Sequence, residues 1–246
     1  MSFFAHFRNV SDADKGKAIE KLIKDSTPDY DFFLMITLSI LMATAGLLLD
    51  STAVVIGSML IAPVLYPILS LSLGMVIADH KLISRSIYTI LKSFAIGIVA
   101  AIIVTLLFMP VANVIPFEIL LRVNLSLLAF VVSIISGIAV SVALVRPDLN
   151  ATLPGVAVSV ALMPPLATIG IGIAWLNWHI VTGSIVFLTF NIIGIVFSSL
   201  ASFSLLNLYV KRGVAQETIA KEEDRVQKEE ARVKEVKAED TSSPTS

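Results

Sequence analysis

Two apolar stretches carry prolines where an uninterrupted helix would not tolerate them. Ser58-Met-Leu-Ile-Ala-Pro63 and Ser159-Val-Ala-Leu-Met-Pro164 each place a serine five residues before a proline, at a common offset of 101, and Pro67 and Pro165 follow. Proline donates no amide hydrogen and clashes with the carbonyl four residues back, at about 3 kcal/mol in a helix interior. The carbonyls set free are those of Met59 and Pro63 in the first stretch and of Val160 and Ala161 in the second. In hydrocarbon such groups survive only when buried in protein or lining a wet cavity. There, with serine hydroxyls, they can coordinate a cation or a small polar solute. Ser58, Met59, Pro63, Pro67, Ser159, Val160, Pro164 and Pro165 are therefore candidate pathway residues. Asn191 joins them, an amide in the last apolar stretch that needs a partner. Simple kinking is the competing reading for the prolines, and interhelical glue for the asparagine.

Other chemistry is poorly provided for. The chain has no P-loop, no H-E-x-x-H, no G-x-S-x-G and no cysteine, and its three histidines, His6, His80 and His179, fall in separate segments. Neither an enzyme nor a metal or other cofactor is expected. A net charge of −1 gives no reason to expect a nucleic-acid partner.

The elements that must position these residues are membrane helices. Apolar residues make up 56% of the chain, charged residues 15% and mean hydropathy is +0.89. A soluble domain carries about a quarter charged residues. The deficit is local, since only nine Asp, Glu, Lys or Arg residues lie between Phe32 and Val210. Six stretches approach the roughly 20 residues needed to span the hydrocarbon as a helix: Phe32–Leu49, Thr52–Ala78, Ile87–Met109, Leu125–Val145, Leu153–Trp175 and Ile180–Val210. The lipid bilayer is the one partner that composition alone implies.

Lysine and arginine set the orientation. With the N-terminus inside, Arg8, Lys15, Lys17, Lys21, Lys24, Lys81, Arg85, Arg146 and Lys211 are cytoplasmic and only Arg122 is outside. Lys92 lies near the inner end of the third stretch, where its stem can snorkel. The expectation is a multi-pass protein of the cell membrane with both termini cytoplasmic. Asp50 is expected to cap the second helix from the outer turn.

The matched Ser-x4-Pro motifs predict two three-helix repeats, residues 32–109 and 125–210, with helices two and five broken by proline. Three crossings per copy is an odd number, so the second copy must enter the membrane inverted. Secondary transporters are often built this way, with their sites at the broken helices. The expected function is a transporter or channel for a small solute or ion. The alternative is a membrane-anchored scaffold or sensor acting through its cytoplasmic ends. Small residues at Ser133/Gly137/Ser141 and Gly194/Ser198/Ser202 mark close helix contacts, within a subunit or between subunits of a homo-oligomer.

Both ends are polar. Residues 1–31 carry Phe3, Phe4, Phe7 and Val10, then Ile19, Leu22 and Ile23 among charges, the pattern of an amphipathic helix on the inner leaflet or of a docking face. Residues 211–246 are rich in Glu, Lys and Arg and are expected to be partly helical, with Thr241–Ser246 disordered. Ile219, Val226 and Val233 recur every seven residues, too thin a seam for a coiled coil.

Two longer motifs carry a family resemblance. Gly46-Leu-Leu-Leu-Asp-Ser-Thr-Ala-Val-Val-Ile-Gly-Ser-Met-Leu-Ile-Ala-Pro63, with Pro67, Gly74 and Asp79, is followed by Leu153-Pro-Gly-Val-Ala-Val-Ser-Val-Ala-Leu-Met-Pro-Pro-Leu166. In this order they resemble the prokaryotic family called domain of unknown function 389, over about Asp29 to Val210. The resemblance implies an integral membrane protein and supplies neither a substrate nor a catalytic residue.

Overall fold

Caps written into the sequence begin half of the helices. The computed structural model describes residues 10–108, 115–124, 126–152 and 162–242, and among them every regular element is helical. Helix α1 (Asp12–Asp25) starts at Ser11, α2 (Tyr30–Leu48) at Asp29 and α5 (His80–Leu107) at Asp79. Likewise α7 (Leu127–Val145) starts at Ser126 and α9 (Trp178–Leu205) at Asn177, and each of the five caps accepts a first-turn amide. Between these lie α3 (Thr52–Ile61), α4 (Leu65–Ile77), the single turn α6 (Phe117–Leu120) and α8 (Met163–Ala174). A long α10 (Arg212–Ser242) closes the chain.

The membrane character lies in what is buried. Large apolar side chains cover the surface, with Leu91 63%, Ile103 51% and Phe197 73% exposed, whereas Ser39, Ser58, Ser93, Thr89 and Ser199 are fully buried. Apolar side chains such as Ile36, Leu69 and Phe203 still fill most of the interior, but the hydroxyls among them and the apolar outer surface suit a protein solvated by lipid, whose helices meet through small and hydroxyl-bearing residues. Helices α2, α5, α7 and α9 are each long and apolar enough to cross a bilayer. The expected second span, Thr52–Ala78, is a pair, α3 and α4, bent by 51°. The fifth is represented by α8 alone, because residues 153–161 lie outside the described region.

Three corners share one construction. Gly46, Gly74 and Gly172 each lie four residues before a residue of positive φ, Asp50 (52°), Ala78 (51°) and Leu176 (55°). The next amide, of Ser51, Asp79 or Asn177, returns to the glycine carbonyl at 2.9–3.0 Å. This is the Schellman closure. A Cβ on Gly74 or Gly172 would press on the backbone nitrogen of Ile83 or Val181 at 3.1 Å, so the glycine lets the next helix fold straight back. The N-cap of α3 is Ser51, not Asp50 as the sequence suggested, because Asp50 occupies the left-handed position ahead of it.

Shifting α5, His80–Leu107, by 98 residues gives Trp178–Leu205, the bounds of α9. The same shift carries Gly74 onto Gly172, Asp79 onto Asn177 and Pro67 onto Pro165. The helix bounds therefore match at an offset of 98, whereas the serine motifs match at 101. Nine residues separate Ser58 from Pro67 and six separate Ser159 from Pro165, which accounts for the difference of three.

The bundle has two distinct ends. Asp29, before α2, pairs with Arg225 of α10 at 3.0 Å, while Asp50, after α2, accepts the Glu118 amide of α6 at 2.8 Å. The 19 residues of α2 span about 28 Å at 1.5 Å per residue, close to a hydrocarbon core. The α4/α5 corner meets α10, since Gln216 Nε2 donates to Asp79 Oδ2 at 3.1 Å. Near the α8/α9 corner, Gly183 packs on Val123, next to α6.

The N-terminal helix does not lie on the membrane by its apolar face. Ile19, Leu22 and Ile23 are at most 1% exposed, covered by α4, α7 and α10 of the same chain. Ser26 Oγ bonds Ser70 Oγ of α4 at 2.8 Å, and α10 buries Ala215 and Ile219 at this end. Phe3, Phe4 and Phe7 lie outside the described residues, as do residues 243–246.

Candidate functional site

Proline placement builds the site. Ala62 is extended (φ −76°, ψ 122°), as the residue before a proline prefers, and there α3 stops. Pro63 begins the bend, its carbonyl accepts the Tyr66 amide at 3.1 Å, and Pro67 falls in the first turn of α4. Pro164 and Pro165 likewise occupy the first turn of α8. Pro67, Pro164 and Pro165 are thus helix starters, placed where no intrahelical amide bond is due, and Pro63 alone interrupts a described span. The Pro164 carbonyl takes the Thr168 hydroxyl at 2.8 Å.

The first turn of α8 is at depth. A Cβ on Gly97, well inside α5, would lie 2.8 Å from Leu166 Cδ2 and 3.2 Å from Ile40 Cγ1, so α2, α5 and α8 converge there. Helix α3 meets α8 as well, so the helix that stops before Pro63 neighbours the one whose first turn holds Pro164 and Pro165. Ser58 is fully buried, its hydroxyl donates to Val55 O at 2.6 Å, and its carbonyl accepts Ser39 Oγ at 2.7 Å. Met59 and Asn191 are also buried, at 8% and 5% exposure. Ser159 and Val160 lie outside the described residues.

The prolines decide what these helix starts can offer. A helix N-terminus attracts anions through its free amides. Three of those positions are prolines, and Tyr66 N is bonded to Pro63 O. The polar surface near the breaks is correspondingly weighted toward carbonyl and hydroxyl oxygen.

Several contacts escaped the sequence. Ser39 gives no sign of bonding across helices, and nothing in the sequence marks Glu118. Glu118 is in fact buried, receives Thr52 Oγ1 at 2.5 Å and pairs with Arg122 at 2.7 Å. Burial lowers the pKa of Arg122 against the pull of Glu118. Lys92 is exposed, and its Nζ rests 4.2 Å from the centre of the Phe33 ring. The small-residue faces pack on each other within the chain, because a Cβ on Gly137 would collide with Ser198 Oγ and one on Gly194 with Ser133 Oγ.

A lipid-facing apolar surface around a hydroxyl-rich interior defines a helical membrane protein. The chain belongs to the family described as Domain of unknown function (DUF389), whose model matches residues 59–197. An uncharacterized protein of Methanocaldococcus jannaschii is 31% identical over 173 residues, covering 70% of this chain and 52% of that protein. The chain thus spans about half the length of the curated relative it matches. No solved structure matches the chain.

Proposed function

We propose that the protein is a membrane transporter or channel for a cation or a small polar solute, with its pathway at the break between α3 and α4 and at the proline-bearing start of α8. The observation carrying this reading is the pair of half-helices α4 and α8, each begun by prolines and each packed on the long helix of the other half: α4 on α9, α8 on α5. The 98-residue correspondence and the placement of the α4/α5 and α8/α9 corners at opposite ends favour two inverted three-helix repeats and six crossings. The end holding α1 and α10 also gathers Lys81 and Arg85, which favours a cell-membrane protein with both termini cytoplasmic.

The test is uptake by proteoliposomes of radiolabelled sodium, rubidium and chloride, and of glycerol by light scattering. The expected result is faster entry of one cation or of glycerol than into protein-free vesicles, reduced by Pro63→Ala and by Gly97→Leu. Entry no faster than the protein-free control for every probe would overturn the reading.

A scaffold or sensor is favoured by one observation, the attachment of α10 through Gln216–Asp79 and Arg225–Asp29. Deleting residues 216–246 separates the two readings, since a scaffold loses its partner and a transporter keeps flux.

A further inference from the structure

We propose that the cleft between α5 and α10 binds the head group of an aminophospholipid, with the phosphate toward Arg85 and Lys81 and the ammonium toward Glu223 and Glu230. The cleft has a volume of about 680 Å³ and all four residues line it, with Tyr88 at its rim. Arg85 donates through Nη2 to Thr27 Oγ1, whereas its Nη1 is buried without a hydrogen-bond partner. A buried guanidinium nitrogen left open is costly, and the planar fork suits a phosphate oxygen. Across the cleft, Glu222 pairs with Arg225 at 2.9 Å, while Glu223 and Glu230 form no ion pair among the described residues. Acids on one wall and bases on the other fit a zwitterion better than a simple anion, which the acidic wall would repel.

The surroundings point to a lipid. Lys81, Arg85, Tyr88 and Lys92 follow one another at helical spacing along a single face of α5. That stripe leads from the charged cleft past Tyr88, 59% exposed, to Leu91, 63% exposed on the apolar surface. A molecule with a charged head and an apolar tail matches the sequence of environments. Lys92 Nζ lies 5.8 Å from the centre of the Tyr88 ring, at the level where head group gives way to chain. The site stands apart from the proposed pathway and holds whether or not a solute moves.

Detergent-purified full-length protein, stripped of lipid and titrated with short-chain phosphatidylethanolamine, phosphatidylglycerol or free O-phosphoethanolamine, provides the test, read as the shift in melting temperature. Phosphatidylethanolamine should stabilise most. Free O-phosphoethanolamine should need a far higher concentration, because it lacks the tail. Arg85→Gln should weaken phosphatidylethanolamine about tenfold or more, the worth of one charge-assisted hydrogen bond. Since Arg85 also bonds Thr27, the exposed double variant Glu223→Gln/Glu230→Gln provides an arm that leaves the fold alone. It should erase the preference for phosphatidylethanolamine over phosphatidylglycerol. Equal binding of the two lipids by the unaltered protein, a preference surviving in the double variant, or O-phosphoethanolamine acting at the same concentration as the lipid would each overturn the proposal.

Discussion

Ser72 of α4 shares its hydroxyl between its own helix, at Ile68 O (3.2 Å), and the carbonyl of Val196 on α9 (3.4 Å). Shifted by 98 residues, the same crossing is Gly170 of α8 against the carbonyl of Ile98 on α5, which a Cβ at Gly170 would approach to 2.9 Å. The two crossings are thus built differently, with a hydroxyl that reaches out in one and with a glycine that lets backbones close in the other.

The difference predicts unequal mutational costs. Gly170→Ala would also set a methyl 2.5 Å from Ala101 Cβ and should cost about 1–3 kcal/mol through overpacking. Ser72→Ala removes a long, shared hydrogen bond and should cost less than about 1 kcal/mol. Thermal unfolding of both variants in detergent checks the order. Equal losses would mean that the α5–α8 crossing is looser than drawn.

Ser39 supplies a second case. Its hydroxyl supports the carbonyl of Ser58 at 2.7 Å with both residues fully buried, one turn before α3 ends. Ser39→Ala leaves that carbonyl with one fewer donor and should destabilise by about 1–3 kcal/mol, whereas Ser39→Thr keeps a hydroxyl and should recover part of it. Melting temperatures decide, and an unchanged Ser39→Ala would remove Ser39 as a support of the break.

What could be read from the chain beforehand follows from the range of each interaction. Apolar runs are local, so α2, α5, α7 and α9 were legible, although α5 begins at His80, seven residues before its apolar run, and the caps Asp79 and Asn177 were not singled out. The break at Pro63 was legible as well, since proline forbids a continuous amide ladder. The serine motifs match at an offset of 101, whereas the glycine corner, the cap and the helix bounds match at 98, a match carried by helix lengths that no short motif displays. The burial of Ile23 against its own chain, the Ser39–Ser58 bond and the Gln216–Asp79 tie join residues far apart in sequence. No local pattern announces such pairs.

The buried pair Glu118–Arg122 allows a sharper experiment. Their side chains are only 5% and 14% exposed and 2.7 Å apart. Glu118→Gln strands the guanidinium and should cost about 3–5 kcal/mol, while Glu118→Gln with Arg122→Met should recover much of that loss. A double-mutant cycle on melting temperature measures the coupling. A coupling near zero would show the pair to be solvated.

Acid stability should depend on two aspartates with opposite signs. At Asp79 burial opposes ionisation, but the Leu82 amide, the Gln216 side chain, the Lys81 amide and nearby Arg212 outweigh it, holding the carboxyl below its ordinary 3.8. A depressed carboxylate contributes stability that is present above 3.8 and lost as pH falls through its folded value. At Asp25 burial dominates and, with Glu222, raises the carboxyl above 3.8 in spite of Lys21 and Lys24. Its contribution is full below 3.8 and is lost as pH rises through the folded value. Asp79→Asn should therefore lower the melting temperature at neutral pH and spare it progressively in acid, and it should loosen α10 by removing the charge that Gln216 meets. Asp25→Asn should raise the melting temperature at neutral pH and lose that advantage in acid. Melting curves across the acid range, with protease sensitivity of α10 as a second readout, check both, and parallel profiles for the two variants would refute the assignment.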